Sequence, residues 1–392
     1  MNQPNHKPTV IACFVAYIVQ AIVVNFAPLL FVTFQTNYRL TLTQIGLLIT
    51  LSFGIQLSVD FLSAFFLDRI GYKSGLLLAH GCAAIGLFLM GLLPDWFSDP
   101  FVGLLIAMTL YAIGGGLLEV IISPLIESIP FDNKEKAMSL LHSFYSFGQV
   151  GVVLLSTLFF AVFGIERWRW MSWLWAVVPL LNGLYFVRCA IPETVASQHP
   201  LPRRKLFFDK TFWLFVLMML CAGAAEQAVS QWASAFAEQG LGISKTAGDL
   251  AGPLFFAAMM GLSRVWDGVR GETVDLTKFI RGSVILSVAA YAVLGLTSFP
   301  FLSLIACGVC GLSVGILWPG TYSRASAVLK NGGTSLFAFL ALAGDVGCML
   351  GPQLVATVSE ICGNNLKIGM LSAIIFPLIL LVCLYAKKRP AL

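Results

Sequence analysis

The sequence predicts an all-α membrane protein of twelve transmembrane helices arranged as two pseudo-symmetric six-helix bundles. Three observations predict it. Of 392 residues, 58% are hydrophobic and 11% charged, more apolar surface than a water-soluble domain of this size needs for its core. The apolar residues fall in a dozen runs near the ~20 residues that cross a hydrocarbon layer roughly 30 Å thick. Basic residues cluster on alternate sides of those runs.

Taken in order, the runs predict spans at 9–32, 44–67, 75–93, 101–129, 136–164, 168–190, 211–236, 246–264, 277–297, 301–323, 333–358 and 366–386. The first is too long for a signal-peptide core and lacks a small-residue cleavage site, so it is expected to be retained as a helix. Pro28, Pro124, Pro253, Pro319 and Pro352 fall inside runs and are expected to kink them. The breaks are short and charged. The longest carries Arg203, Arg204, Lys205 and Lys210 and reads as a cytoplasmic linker. The expected organisation is a first bundle at 1–191, a linker at 192–210 and a second bundle at 211–392.

Orientation follows from where Lys and Arg fall. With the N-terminus inside, only Arg39, Arg167, Arg169, Lys245 and Lys367 lie outside, and the other nineteen of the 24 basic residues lie inside. Both termini are therefore expected in the cytoplasm, with the minimal loops suiting a bacterial inner membrane. The net charge of +5 then needs no nucleic-acid partner, because it expresses topology and attraction to an anionic leaflet.

Several function classes fall away. The nine cysteines lie in or beside apolar runs and form no extracellular disulfide framework. Cys307 and Cys310 make a CxxC with no second pair and no nearby His, too few ligands for zinc. There is no phosphate-binding Walker sequence and no HExxH, so neither direct ATP use nor a metal-dependent enzyme is expected, and no cofactor is called for. A monomer is expected, since one chain already holds both halves.

The halves echo each other. Leu67-Asp68-Arg69-Ile70-Gly71-Tyr72-Lys73 follows span two, and the stretch from Leu262 through Arg264 to Gly271 follows span eight. Asp68-Arg69-x-Gly71-x-Lys73 in that position resembles the cytoplasmic signature of the major facilitator superfamily. Further residues resemble the fucose permease-like sugar:proton symporters within it: Gly115-Gly116-x-x-Glu119-x-x-x-Ser123 and Glu127-x-x-Pro130, Leu140-Leu141-His142-Ser143-Phe144 to Gly148, Gly223-x-x-Glu226 with Trp232, and Gly311 to Pro319. The resemblance implies secondary transport by alternating access, with protons driving uptake of a sugar or related polar solute, and a functional acid in span four. Two positions depart from that group: Ser123 stands where relatives often have Asn, and span one offers Gln20 and Asn25 in place of an acid.

Ionisable residues inside a span are expensive, so they mark function. The proton-coupling candidates are Glu119, His142, Asp60 and Asp345. Ser52, Gln56, Asp60 and Ser63 share one face of span two, and His142, Tyr145, Ser146 and Gln149 share one face of span five. Candidate substrate contacts are Gln20, Asn25, Tyr145, Gln149, Glu226, Gln227, Gln231, Trp232, Trp318 and Tyr322, with amides and acids taking hydroxyls and rings stacking on an apolar sugar face. Asp68, Arg69, Lys73, Glu127 and Arg264, at inner span ends, are expected to control the conformational equilibrium. Four glutamines in the stripes tilt the reading towards a hydroxylated solute. Proton-driven export of amphipathic compounds is the alternative, and the lack of Lys or Arg deep in any predicted span argues against an anionic solute.

Overall fold

The structure, a computed structural model, describes residues 6–129, 134–191, 207–270, 275–329 and 333–386; within its helices the side chains of 64–66, 68, 69, 127, 134–139, 142, 268–270, 333–335, 337 and 386 lie outside that description. So do residues 192–206 of the expected linker. Among the described residues, eleven helical passages are long and apolar enough to cross a membrane. The remaining passage, span eight, is broken: Lys245–Asp249 leads through a wide π turn at Leu250–Leu254 into Phe255–Arg270. Pro253 sits in that turn, where its missing N–H disturbs the helical ladder.

Two other passages break at expected prolines. Span one runs Lys7–Asn25, tightens to a 3-10 turn at Ala27–Leu30 around Pro28, and continues as Phe31–Tyr38. Span ten runs Pro300–Val314 and restarts as Leu317–Val328. Pro319 cannot donate to the carbonyl of Gly315, four residues earlier, which leaves that oxygen free of the helix.

The chain divides into two compact units, one of residues 1–40 and 51–196, the other of 41–50 and 197–392. The short 41–50 segment, the start of the Leu42–Ile70 helix, joins the second unit through Thr43, whose N–H donates to Glu360 at 2.7 Å, and Thr50, whose hydroxyl donates to Gln353 at 3.0 Å.

In the first unit, spans one, three and six are tied by a buried polar chain. Asn182 Nδ2 donates to Ala12 O at 3.0 Å and meets His80 Nε2 at 2.9 Å, while His80 Nδ1 lies 2.7 Å from Leu76 O. A carbonyl can only accept, so Nδ1 carries the proton and Nε2 takes Asn182's. Near the start of span six, Arg169 pairs with Asp95 at 2.8 Å and stacks over Trp168, and Tyr38 donates to the same Asp95.

In the second unit, spans seven and eleven touch backbone to backbone. A Cβ added at Gly347 would strike Leu220 O and Ala224 N, and one at Gly351 would strike Ala224 O, the close approach that small residues allow between membrane helices. Span nine opens on Asp275, whose carboxylate accepts from Thr277 N–H at 3.0 Å and Lys278 N–H at 3.2 Å. Those donors, Lys278's first, hold the Asp275 carboxyl below its ordinary value.

Two substitutions check this architecture by thermal unfolding of detergent-solubilised protein. Asn182→Ala leaves the buried His80 Nε2 without its donor and removes the tie to Ala12 O, and is expected to lose about 1–3 kcal/mol. Gly71 begins span three at φ 79 and ψ 152, a conformation essentially reserved for glycine, so Gly71→Ala is expected to lose about 1–3 kcal/mol.

Candidate functional site

Each unit holds a polar cluster built by its first, second and fourth spans. In the first unit Gln20 of span one is the centre. Its Nε2 donates to Gln56 Oε1 of span two at 3.2 Å and to Glu119 Oε2 of span four at 3.3 Å. Gly115 makes the room, since a Cβ there would stand 3.0 Å from Gln20 Oε1 and 3.3 Å from Gln56 Oε1. One turn further towards the C-terminal end of span four, Tyr17 OH meets Ser123 Oγ at 2.8 Å. Asn25 donates to Ala21 O at 2.9 Å and reaches Tyr145 OH at 3.5 Å.

Glu119 itself is exposed, although Leu117, Leu118, Ile121 and Ile122 around it are buried. Among the described residues it makes no ion pair. It keeps exposed surface while crowded by protein on its helix, and a neutral amide holds its carboxylate. Gln149 is buried and Asp60 half-buried. Lys73 donates to Val187 O at the end of span six, 2.8 Å away, a tie within the first unit that satisfies a helix-end carbonyl. The side chains of Asp68, Arg69, Glu127 and His142 lie outside the described residues.

The second unit answers with charge. Glu226, midway along span seven, accepts from Arg264 Nη2 at 3.1 Å, and Arg264 Nε reaches Gly315 O of span ten at 3.4 Å. Gly315 O is the carbonyl that Pro319 leaves free. Arg264 thus lies inside span eight, which runs on to Arg270, and not in the loop beyond it. This corrects two expectations: span eight does not end at 264, and a cation does stand deep in a span. Hydropathy takes a charge for a helix end, whereas a charge that finds its counter-ion on the next helix can remain inside.

The other expected contacts divide. Gln227 and Gln231 bond each other at 3.1 Å along span seven, both buried. Trp318 and Tyr322 are half-buried neighbours on span ten with ring centroids 6.4 Å apart, Trp318 lying against Gly344 of span eleven. Asp345, beside that glycine, is half-buried. Trp232 is fully buried and donates to Pro352 O at 3.0 Å, so its ring presents no face to a solute and locks span seven to span eleven instead. Two polar groups were not anticipated. His80, at 1% exposure, joins the structural chain described above, whereas His142 was the expected buried imidazole. Asp249 is also buried and pairs with Lys245 at 2.9 Å, both touching Ser234. The i, i+4 spacing of Lys245 and Asp249 was the signal that could have found them.

A family model described as the Major Facilitator Superfamily matches residues 9–352. The chain belongs to that superfamily. It is therefore a multi-pass membrane transporter and not an enzyme, and its substrate is a small molecule. Solved structures agree on the fold. A bacterial homologue of the human lysosomal transporter Spinster, in an inward-facing and occupied conformation, is similar at TM-score 0.78 and 14% identity, over 98% of this chain and 97% of that one. The D-xylose-proton symporter follows at 0.74 and 14%, over 97% of each chain, and the E. coli fucose:proton symporter FucP at 0.64 and 15%, over 98% and 100%. Likeness at this identity speaks for fold alone. No curated protein matches.

The second cluster is checked by a double-mutant cycle on thermal unfolding. Arg264→Gln leaves Glu226 without its counter-ion and is expected to destabilise more than the Glu226→Gln/Arg264→Gln double variant, with a coupling of about 0.5–3 kcal/mol.

Proposed function

We propose that this secondary transporter takes up a small polar, hydroxylated solute, a sugar or sugar derivative, together with protons, by alternating access of two six-span halves at 1–191 and 211–392. The observation that carries the reading is the contrast between the two acids. Glu119 keeps exposed surface and, among the described residues, is held by the amide of Gln20, whereas Glu226 is tied to a guanidinium. A carboxylate without a counter-ion is expensive to enclose in low dielectric and far less so when protonated. The rule this sets is simple: the transporter closes over Glu119 only when Glu119 carries a proton.

Gln20, Asn25, Tyr145 and Gln149 in one unit, and Glu226, Gln227, Gln231, Trp318 and Tyr322 in the other, are the proposed contacts for hydroxyls and an apolar ring face. Asp60, His142 and Asp345 are proposed as secondary proton sites. Asp68, Arg69 and Glu127 are proposed to bias the conformational equilibrium from the cytoplasmic ends, with both termini on that side of a bacterial inner membrane.

The test is uptake of radiolabelled sugars and other small polar solutes into proteoliposomes, with and without an inward proton gradient. The native chain is expected to accumulate a solute only with the gradient. Glu119→Gln, a fixed neutral side chain, is expected to lose accumulation and keep solute exchange. Expulsion of a lipophilic cation against the gradient, with no polar solute accumulated, would replace uptake by export.

A further inference from the structure

We infer that the solute carries a carboxylate and that Arg264 receives it; the inference rests on the proton-coupled uptake reading and narrows its substrate to a hydroxylated monoacid such as a sugar acid. The geometry of the guanidinium points there. Arg264 uses one edge of its fork, Nε towards Gly315 O and Nη2 towards Glu226. A guanidinium has five N–H donors in a fixed plane. The three left over, two on Nη1 and one on Nη2, find no acceptor among the described residues, and the side chain keeps 29% of its surface accessible. The Nη1 and Nη2 hydrogens at the tip form a second, parallel pair of donors spaced for the two oxygens of one carboxylate.

The protein has arranged this edge rather than left it by accident. Pro319 removes the N–H that would otherwise occupy Gly315 O, and Gly315 has no side chain to fill the space against span eight, where a Cβ would stand 2.8 Å from Met260 O and from the Ser263 side chain. Glu226 and Gly315 O hold the guanidinium from one side and leave the tip presented. Lys245 is differently placed: its ammonium is taken up by a carboxylate and a hydroxyl.

The charge balance fits proton coupling. Arg264 already carries Glu226, so a bound carboxylate shares the guanidinium with it and engages the two donors left at the tip. The monoanion carries one negative charge across and the proton taken up by Glu119 carries one positive. One proton moving with one monoanion makes transport electroneutral.

Thermal unfolding of the purified full-length chain tests the site, using D-glucuronate, D-galacturonate and D-gluconate against D-glucose and D-galactose at equal concentration. At least one acid is expected to raise Tm where the neutral sugars do not. The shift is expected to vanish in the Glu226→Gln/Arg264→Gln double variant, whose own Tm reports that it folds. No shift from any of the three acids, or a shift of equal size in the double variant, overturns the inference. Proteoliposomes separate this from the wider reading. An acid whose accumulation follows a pH gradient and ignores an imposed membrane potential supports both. A neutral sugar accumulated on the gradient while the acids are excluded leaves uptake standing and refutes the anion site. An acid that binds through Arg264 but never accumulates leaves the site standing and refutes coupled uptake.

Discussion

Inside a hydrocarbon layer there is no water to take an unmet polar group, so every such side chain must find its partner on another helix or face an accessible surface. The rest of this structure depends on that constraint. It draws Gln20 to Gln56 and Glu119 across spans one, two and four, and it draws Arg264 to Glu226 and Gly315 O across spans eight, seven and ten. The corresponding spans of the two repeats make the two clusters. One was built with amides and an acid, the other with an ion pair, and this difference in chemistry sets the proposed proton acceptor, Glu119, apart from the proposed carboxylate receptor, Arg264.

The second cluster also shows how a backbone defect becomes a binding element. A proline in a helix orphans the carbonyl four residues earlier, and in a membrane that oxygen must be satisfied by something else. Here Arg264 supplies the donor, so Pro319, Gly315 and Arg264 are one device spread over two helices. Gly347 and Gly351 act elsewhere by a different route, removing side-chain bulk so that spans seven and eleven pack at backbone distance.

Much of the fold was legible because hydropathy reports the solvent. Eleven passages lie close to where apolar runs placed them and span eight runs past its expected end at 264; the breaks at Pro28 and Pro319 fall at expected prolines, whereas Pro124 and Pro352 stay inside continuous helices. The span-four acid and its glycines were legible too, since a charge set amid a long apolar run is too costly to keep without a use. What the pattern could not show was partnership. Arg264 looked like a loop residue because a charge ends an apolar run unless its counter-ion lies on another helix, and that helix is 38 residues earlier in sequence. His80 looked unexceptional for the same reason, its partners being Leu76 and the distant Asn182. Trp232 had polar neighbours in sequence yet points its N–H at Pro352 O. Periodicity tells which residues share a face but not what that face meets.

The account turns on Glu119 being the carboxylate that exchanges its proton with solvent, and infrared difference spectroscopy of the protein in lipid, taken across a pH titration, addresses that directly. The proposed coupling predicts a component of the protonated-carboxyl C=O band that grows with acid in the native chain and that Glu119→Gln alone lacks, the components from other acids remaining. An unchanged band in Glu119→Gln would contradict it and move the proton to another acid.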